Sequence, residues 1–110
     1  MQILSPLRIK VNTREEQILQ TLLDKHCRAI LSITKENAMT ASKICSECNI
    51  PLSTVYRRLR LLQELKLLHV SCTIRNDGKK LLSFQNKIAE INILLYDNQL
   101  LIQTNFVQHE

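Results

Sequence analysis

The first part of the chain has apolar residues at the three- and four-residue steps of an α-helix. Asn12 or Thr13 supplies an N-cap before this spacing, which predicts a first helix over about residues 13–23. The apolar phase shifts around Asp24, and a second helical pattern follows that ends near Lys35. The two patterns fit either one bent helix or two separate helices.

A short helix, a sharp turn and a long amphipathic helix are predicted in the middle of the chain. Thr40 is a candidate N-cap for a helix over 41–48, and Asn49 stands where the backbone must turn left-handed. Pro51 is preset for the first turn of the next helix, predicted over 52–66. The apolar stripe of that helix consists of Val55, Leu59, Leu62 and Leu65.

After Leu68 the apolar period changes to the two-residue alternation of β-strands. Residues 69–74 alternate, a turn with the only Gly follows, and residues 80–84 form the partner strand. A hairpin directly after such a helix pair is a wing, and its tip is basic.

A second hairpin is predicted from the apolar alternation that follows the wing. It consists of residues 88–96 and 99–106, separated by the turn-like dipeptide Asp97-Asn98. A C-terminal helix is the competing interpretation, and β-branched residues on both sides of the turn disfavour it.

These elements predict an α+β fold: a winged helix-turn-helix of three to four helices and a two-stranded wing, with an extra C-terminal β-hairpin. We expect a winged domain over 1–87, with the helix-turn-helix at 40–68 and the wing at 69–85, and a hairpin extension of the same domain over 88–110. The extension would serve as a dimer or sheet-extension element.

Positive charge is concentrated in one section of the chain, whose net charge is +5. Residues 52–87 contain eight basic and two acidic side chains, whereas residues 88–110 contain no basic and three acidic ones. This distribution is typical of a surface that faces phosphates, although a solvated basic face is the simpler alternative.

Composition excludes several functional classes. Hydrophobic residues make up 45% of the 110 residues, which is typical of a folded domain. We found no membrane-length apolar run and no signal peptide, which predicts a cytoplasmic protein whose four cysteines stay reduced. Without a Gly-rich phosphate loop or a catalytic Cys–His–acid pattern, neither enzymatic activity nor a cofactor is predicted.

The cysteines Cys45 and Cys48 form a C-x-x-C motif, which is compatible with metal binding or redox sensing. Both fall on the predicted inward face of helix 41–48, where Cys behaves as a small hydrophobic residue. Cys27, Cys72, His26 and His69 are not paired at ligand spacing. Buried packing is therefore the preferred interpretation.

The run ASKICSECNIPLSTVYRRLRLLQELKLL resembles the winged helix-turn-helix core of ArsR-like transcription regulators, particularly short archaeal ones. The resemblance covers about residues 14–85, and STVYRRL is its most specific part. Asn49 and Lys66 depart from it, since the family often has Gly at both positions. The resemblance implies a regulator that inserts helix 52–66 into the major groove and places its wing on the flanking backbone.

The DNA contacts that the resemblance implies are Ser53, Thr54, Tyr56, Arg57 and Arg60 on the helix and Arg75, Lys79 and Lys80 on the wing. Short hydroxyls at a helix N-terminus can reach phosphates, and Arg can bind phosphate or guanine. We add Arg58 as a further candidate, although it lies closer to the apolar stripe and would pair with Glu64 or a phosphate.

The expected partners are double-stranded DNA and a second copy of the chain, without a membrane. Helix-turn-helix proteins usually read two half-sites as a two-fold dimer. The apolar segments 1–23 and 88–106 are free to form the dimer contact, and residues 2–11 fit a short strand or an arm. Two other functions remain open: a winged-helix protein–protein module, and a thiol- or metal-responsive repressor.

Overall fold

The computed structural model describes residues 13–107, so the strand or arm predicted over residues 2–11 lies outside the described residues. Four helices and four strands occur in the described range: α1 (Arg14–Leu23), α2 (Lys25–Ile33), α3 (Ala41–Cys48), α4 (Leu52–Glu64), β1 (Leu68–Ile74), β2 (Lys80–Asn86), β3 (Ile88–Tyr96) and β4 (Gln99–Phe106).

The first two helical patterns form two separate helices. Asp24 has an extended backbone, with φ −82° and ψ 122°, which ends α1. Its carboxylate Oδ2 then accepts the backbone N–H of Cys27 at 3.0 Å and caps α2. Thr13 caps α1 in the same way, since its Oγ1 accepts the N–H of Glu16 at 3.1 Å. The apolar spacing was compatible with one bent helix or with two helices. Asp24 decides between them, because it ends α1 and caps α2.

Helix α3 and the sharp turn after it agree with the sequence prediction. The Oγ1 of Thr40 accepts the backbone N–H of Lys43 at 3.2 Å, and the helix ends at Asn49 with a left-handed φ of 55°. The next residue, Ile50, donates its N–H to the carbonyl of Cys45 and is buried. This left-handed cap produces the turn of the helix-turn-helix.

Helix α4 begins at Leu52, as predicted, and Pro51 stands at its N-cap position with an extended ψ of 140° instead of in the first turn. The helix ends at Glu64, two residues before the predicted end. Lys66 adopts a φ of 60°, and Leu67 donates its N–H to the carbonyl of Leu62 at 3.0 Å. Together with the bond from the Lys66 N–H to Gln63, this is a Schellman motif, built here without the usual Gly.

The four strands form two separate antiparallel hairpins, β1–β2 and β3–β4. The wing is joined to the helical body because Met39 and Phe84 exchange both backbone hydrogen bonds, at 2.9 and 2.8 Å. The fold is therefore an α+β winged helix-turn-helix with a C-terminal β-hairpin, as predicted.

The core is formed by the inner faces of the four helices and the base of the wing. The predicted stripe of α4 is buried throughout, at Val55, Leu59, Leu62 and Leu65. It packs with Ile18, Cys27, Ile30, Ile44, Leu67 and Phe84. Burial of this stripe fixes which side of α4 faces solvent, and so positions the site described below.

Asn86 anchors the junction between the two hairpins. Its side-chain Nδ2 donates to the carbonyl of Leu31 at 2.9 Å, and its Oδ1 accepts the N–H of Ile88 at 2.8 Å. The second hairpin thus begins at a fixed point on α2. Within residues 13–107, no helix has the length and apolar character needed to cross a membrane.

Candidate nucleic-acid interface

Four of the predicted contact residues form one exposed stripe on α4. The stripe begins at Ser53, and Tyr56, Arg57 and Arg60 follow it by three, four and seven positions. These steps place all four residues on the same helix face. All four are exposed, and Tyr56 retains 53% of its surface. Because the opposite face of α4 is buried, this stripe points away from the core.

Thr54 lies at the side of this stripe and is half-buried. Its Oγ1 accepts a long hydrogen bond of 3.4 Å from the Nη2 of Arg57. Such a bond is weak enough to break when a phosphate offers a stronger partner. Thr54 and Arg57 therefore lie within reach of each other and of the same external group.

Arg58 has a different environment from the other arginines of α4. Its Nε donates to the carboxylate Oδ2 of Asp24 at 2.7 Å, and both side chains are less than one-third exposed. The sequence suggested Glu64 or a phosphate as its partner, and the structure has Asp24 instead. The same oxygen of Asp24 also caps α2, so one carboxylate joins the start of α2 to the middle of α4.

This contact changes the acidity of the groups around it. Burial by itself would raise the pKa of Asp24, but hydrogen bonds from Arg58 and Cys27 outweigh burial and lower that pKa from 3.8 to about 2. Burial, reinforced by the hydrogen bond to Asp24, raises the pKa of the Cys27 thiol to about 12. At neutral pH Asp24 is therefore charged and Cys27 is a neutral thiol.

The wing tip has the basic residues that the sequence predicted there. Gly78 has a φ of 85°, and the Arg75 N–H donates to the carbonyl of Lys79 at 2.8 Å, which closes the turn. Arg75 also forms an exposed ion pair with Asp77 at 3.4 Å. Lys79 and Lys80 are exposed. An exposed pair of this kind contributes little energy, so the guanidinium of Arg75 can exchange Asp77 for another anion.

A groove of about 220 Å³ connects the exposed stripe of α4 with the wing. Tyr56 of α4, Lys80 of β2 and Ser42 near the start of α3 line it. The structure thus brings together residues that are distant in sequence on one side of the molecule. Sequence reasoning missed Ser42. Ser42 follows the N-cap Thr40 by two residues and lies at an exposed helix N-terminus. That position could have indicated Ser42 as a candidate contact.

The two cysteines of the C-x-x-C motif are half-buried and pack against the core. Burial, together with the negative charge of Glu47, raises the pKa of Cys48. A raised pKa disfavours the thiolate that binds metals. In the described part of the chain, no group of three or more His, Cys, Asp or Glu side chains is arranged to hold a metal ion.

Comparison with protein families agrees with this architecture. Residues 22–71 match the family model of a helix-turn-helix domain. The matched range contains α2, α3, α4 and the first residues of β1, which are the elements that form and orient the exposed stripe. A comparison with curated proteins found no match. The chain is therefore similar to helix-turn-helix domains over just under half of its length, a likeness that suggests a DNA-binding regulator.

Proposed function

We propose that this protein is a sequence-specific, double-stranded-DNA-binding transcription regulator of the ArsR-like, short archaeal type. In this proposal α4 enters the major groove and the wing rests on the flanking backbone. The protein acts in the cytoplasm, without enzymatic activity, and two copies read a two-fold site. The subtype rests on the STVYRRL run, whereas DNA binding is supported by the helix-turn-helix match and by the surface geometry.

The observation that supports the proposal most strongly is the exposed stripe of Ser53, Tyr56, Arg57 and Arg60. A major groove admits one α-helix, whose side chains read base edges by hydrogen bonds. No acidic residue occurs between Leu52 and Gln63, so this part of α4 meets DNA without like-charge repulsion. Arg57 and Arg60 have the forked donors that recognise guanine.

The wing contributes affinity more than base preference. Arg75, Lys79 and Lys80 are placed at or beside its tip, where each can neutralise a phosphate. The groove lined by Tyr56 and Lys80 supports this arrangement, because helix and wing can then follow one continuous duplex.

We assign Arg58 a positioning role in place of a DNA contact. Its guanidinium is bound to Asp24, and its position on α4 borders the buried stripe. The contact resists rotation of α4 against α2, and so keeps the exposed stripe directed outward.

Fluorescence anisotropy of a labelled random-sequence duplex pool, measured at several salt concentrations, tests the proposal. Wild type should bind tightly, and its affinity should fall steeply with salt. Arg57→Ala/Arg60→Ala should lose at least about 30-fold in affinity for a duplex selected from the pool, since each base contact is worth about 1–3 kcal/mol.

A matched control is Arg28→Ala/Lys35→Ala, which removes two positive charges, one on α2 and one just after it, from a surface beside the junction of β2 and β3. We expect less than about a threefold loss for this variant, because it changes only long-range charge and the bond from Arg28 to the carbonyl of Leu22, which lies outside α4 and the wing. Equal losses in both variants would contradict the assignment of α4. Weak, indiscriminate binding by wild type would favour a winged-helix protein–protein module instead.

A further inference from the structure

The second hairpin exposes apolar side chains on both of its faces. In the register of β3 and β4, Ile93 lies opposite Ile102 and Leu95 opposite Leu100, which places these four residues on one face. Leu94 lies opposite Leu101 on the other face, where Tyr96 is also found. Ile93, Leu94, Leu95, Tyr96 and Leu101 each keep between 46% and 69% of their surface exposed.

A strand with consecutive apolar residues is typical of strands that are covered on both faces. Residues 93–96 form such a run, and all four are exposed, whereas Leu100 and Ile102 on β4 are half-buried where α1 contacts that strand. An isolated two-stranded hairpin is at best marginally stable in water. The outer half of β3 and β4 therefore needs a partner.

We propose that the distal half of the β3–β4 hairpin is the surface through which two copies of this chain form a two-fold dimer. Each hairpin inserts between the hairpin and the helical body of the other copy, so that both apolar faces become covered. This inference deepens the proposed two-copy mode of DNA binding and rests on that function for its biological use.

Charge supports a second copy as the occupant. The chain has a net charge of +5, but residues 88–107 contain only two charged side chains, Glu90 and Asp97, both acidic. Two copies that meet through this hairpin bring together nearly neutral surfaces, and the basic wing and α4 stay outside the contact. A two-fold contact requires this kind of self-compatible patch.

The size of the patch also fits a dimer. The five exposed apolar residues of the distal half, Ile93, Leu94, Leu95, Tyr96 and Leu101, offer roughly 600 Å² per chain, most of the roughly 800 Å² that each partner contributes to a standard interface. Residues 1–12 of the same chain are a smaller candidate. Residues 1–12 contain six apolar side chains, but Pro6 divides them, and only Leu7, Ile9 and Val11 recur at every second position, enough for one face of a hairpin and not for two.

Sedimentation velocity of the full chain without DNA tests the proposal, at concentrations from about 1 to about 200 µM. Wild type should reach twice the single-chain mass of 12.8 kDa, and Leu95→Glu should weaken association at least about 100-fold. The matched control is Ile74→Glu, because Ile74 on the wing is 72% exposed and Leu95 is 69% exposed. This control should remain a dimer.

Amide hydrogen exchange of wild type, measured at several protein concentrations, tests the same proposal without a variant. It therefore gives a result even if Leu95→Glu fails to fold. Amides of residues 91–102 should become more protected as concentration rises, whereas amides of α3 should not change. A single-chain mass at every concentration, an unchanged mass for Leu95→Glu, or hairpin protection that stays constant while the mass rises from one copy to two would overturn the proposal. The last result would indicate an occupant from the same chain.

Failure of this proposal is distinguishable from failure of the proposed function. If the hairpin is the dimer surface, Leu95→Glu keeps its affinity for a single half-site and loses only the gain from the second half-site. A loss of half-site binding in Arg57→Ala/Arg60→Ala concerns α4 and leaves the dimer unaffected.

Discussion

Replacing Asp24 with Asn tests the contact that joins the start of α2 to α4. Asn is as good an N-cap as Asp, so Asp24→Asn keeps the cap of α2 and removes only the charge that faces Arg58. A fall in pKa from 3.8 to about 2 corresponds to at most about 2.4 kcal/mol. The side chains of Arg58 and Asp24 remain 29% and 27% exposed, so screening by solvent reduces the expected loss to about 1–2 kcal/mol.

The loss should depend on pH in a defined direction. The pKa of Asp24 is lowered in the folded state, so its contribution is fully present above the unfolded value of 3.8 and disappears as pH falls towards about 2. Urea denaturation should therefore separate wild type from Asp24→Asn by about 1–2 kcal/mol at pH 7, and the two should converge near pH 2. At pH 7 the melting temperature should fall by roughly 5–10 °C.

The exposed ion pair of the wing provides a matched control. Arg75 and Asp77 are 3.4 Å apart and about half exposed, so Asp77→Asn should cost less than about 0.5 kcal/mol at every pH. A double-mutant cycle with Arg58→Gln should recover most of the Asp24→Asn effect as coupling energy. A cost at Asp24 as small as that at Asp77, or one that does not change with pH, would refute the account of this contact.

Three further predictions concern the wing, the turn and the cysteines. Lys79→Ala/Lys80→Ala should lower the slope of log affinity against log salt by about 2 without changing the preferred bases, as measured by anisotropy. Asn49→Ala should cost about 1 kcal/mol in urea denaturation because of its positive φ, whereas Asn49→Gly should cost nothing. Thermal melts of Cys45→Ala and Cys48→Ala should show a loss below about 1 kcal/mol, and zinc should shift neither these variants nor wild type.

Features set by neighbours in sequence were predictable. Thr40 and Asn49 begin and end α3 through bonds that span only a few residues, and the turn Asp97-Asn98 lies between strands with the predicted limits. The period of apolar residues identified the buried stripe of α4, and the exposed stripe follows from it. The limits of these elements depend on residues that are close in sequence, so a single sequence is enough to predict them.

Features that depend on packing between distant residues were not predictable. Arg58 and Asp24 are separated by 34 positions, and no local pattern links them. The early end of α4 has a local cause instead, and it was missed because Lys66 takes a left-handed conformation that Gly usually adopts. Cys45 and Cys48 were predicted to be buried on the inward face of α3, yet they are only half-buried and pack against the core from outside it.

Amide chemical-shift mapping of the full chain is the most direct test of the central claim. The protein would be titrated with a duplex selected from the random pool. We expect the largest shifts at residues 53–60 of α4 and residues 75–80 of the wing, with residues 91–102 of the second hairpin unchanged. Shifts confined to the second hairpin, or spread evenly over the surface, would contradict the assignment of α4 as the helix that reads DNA.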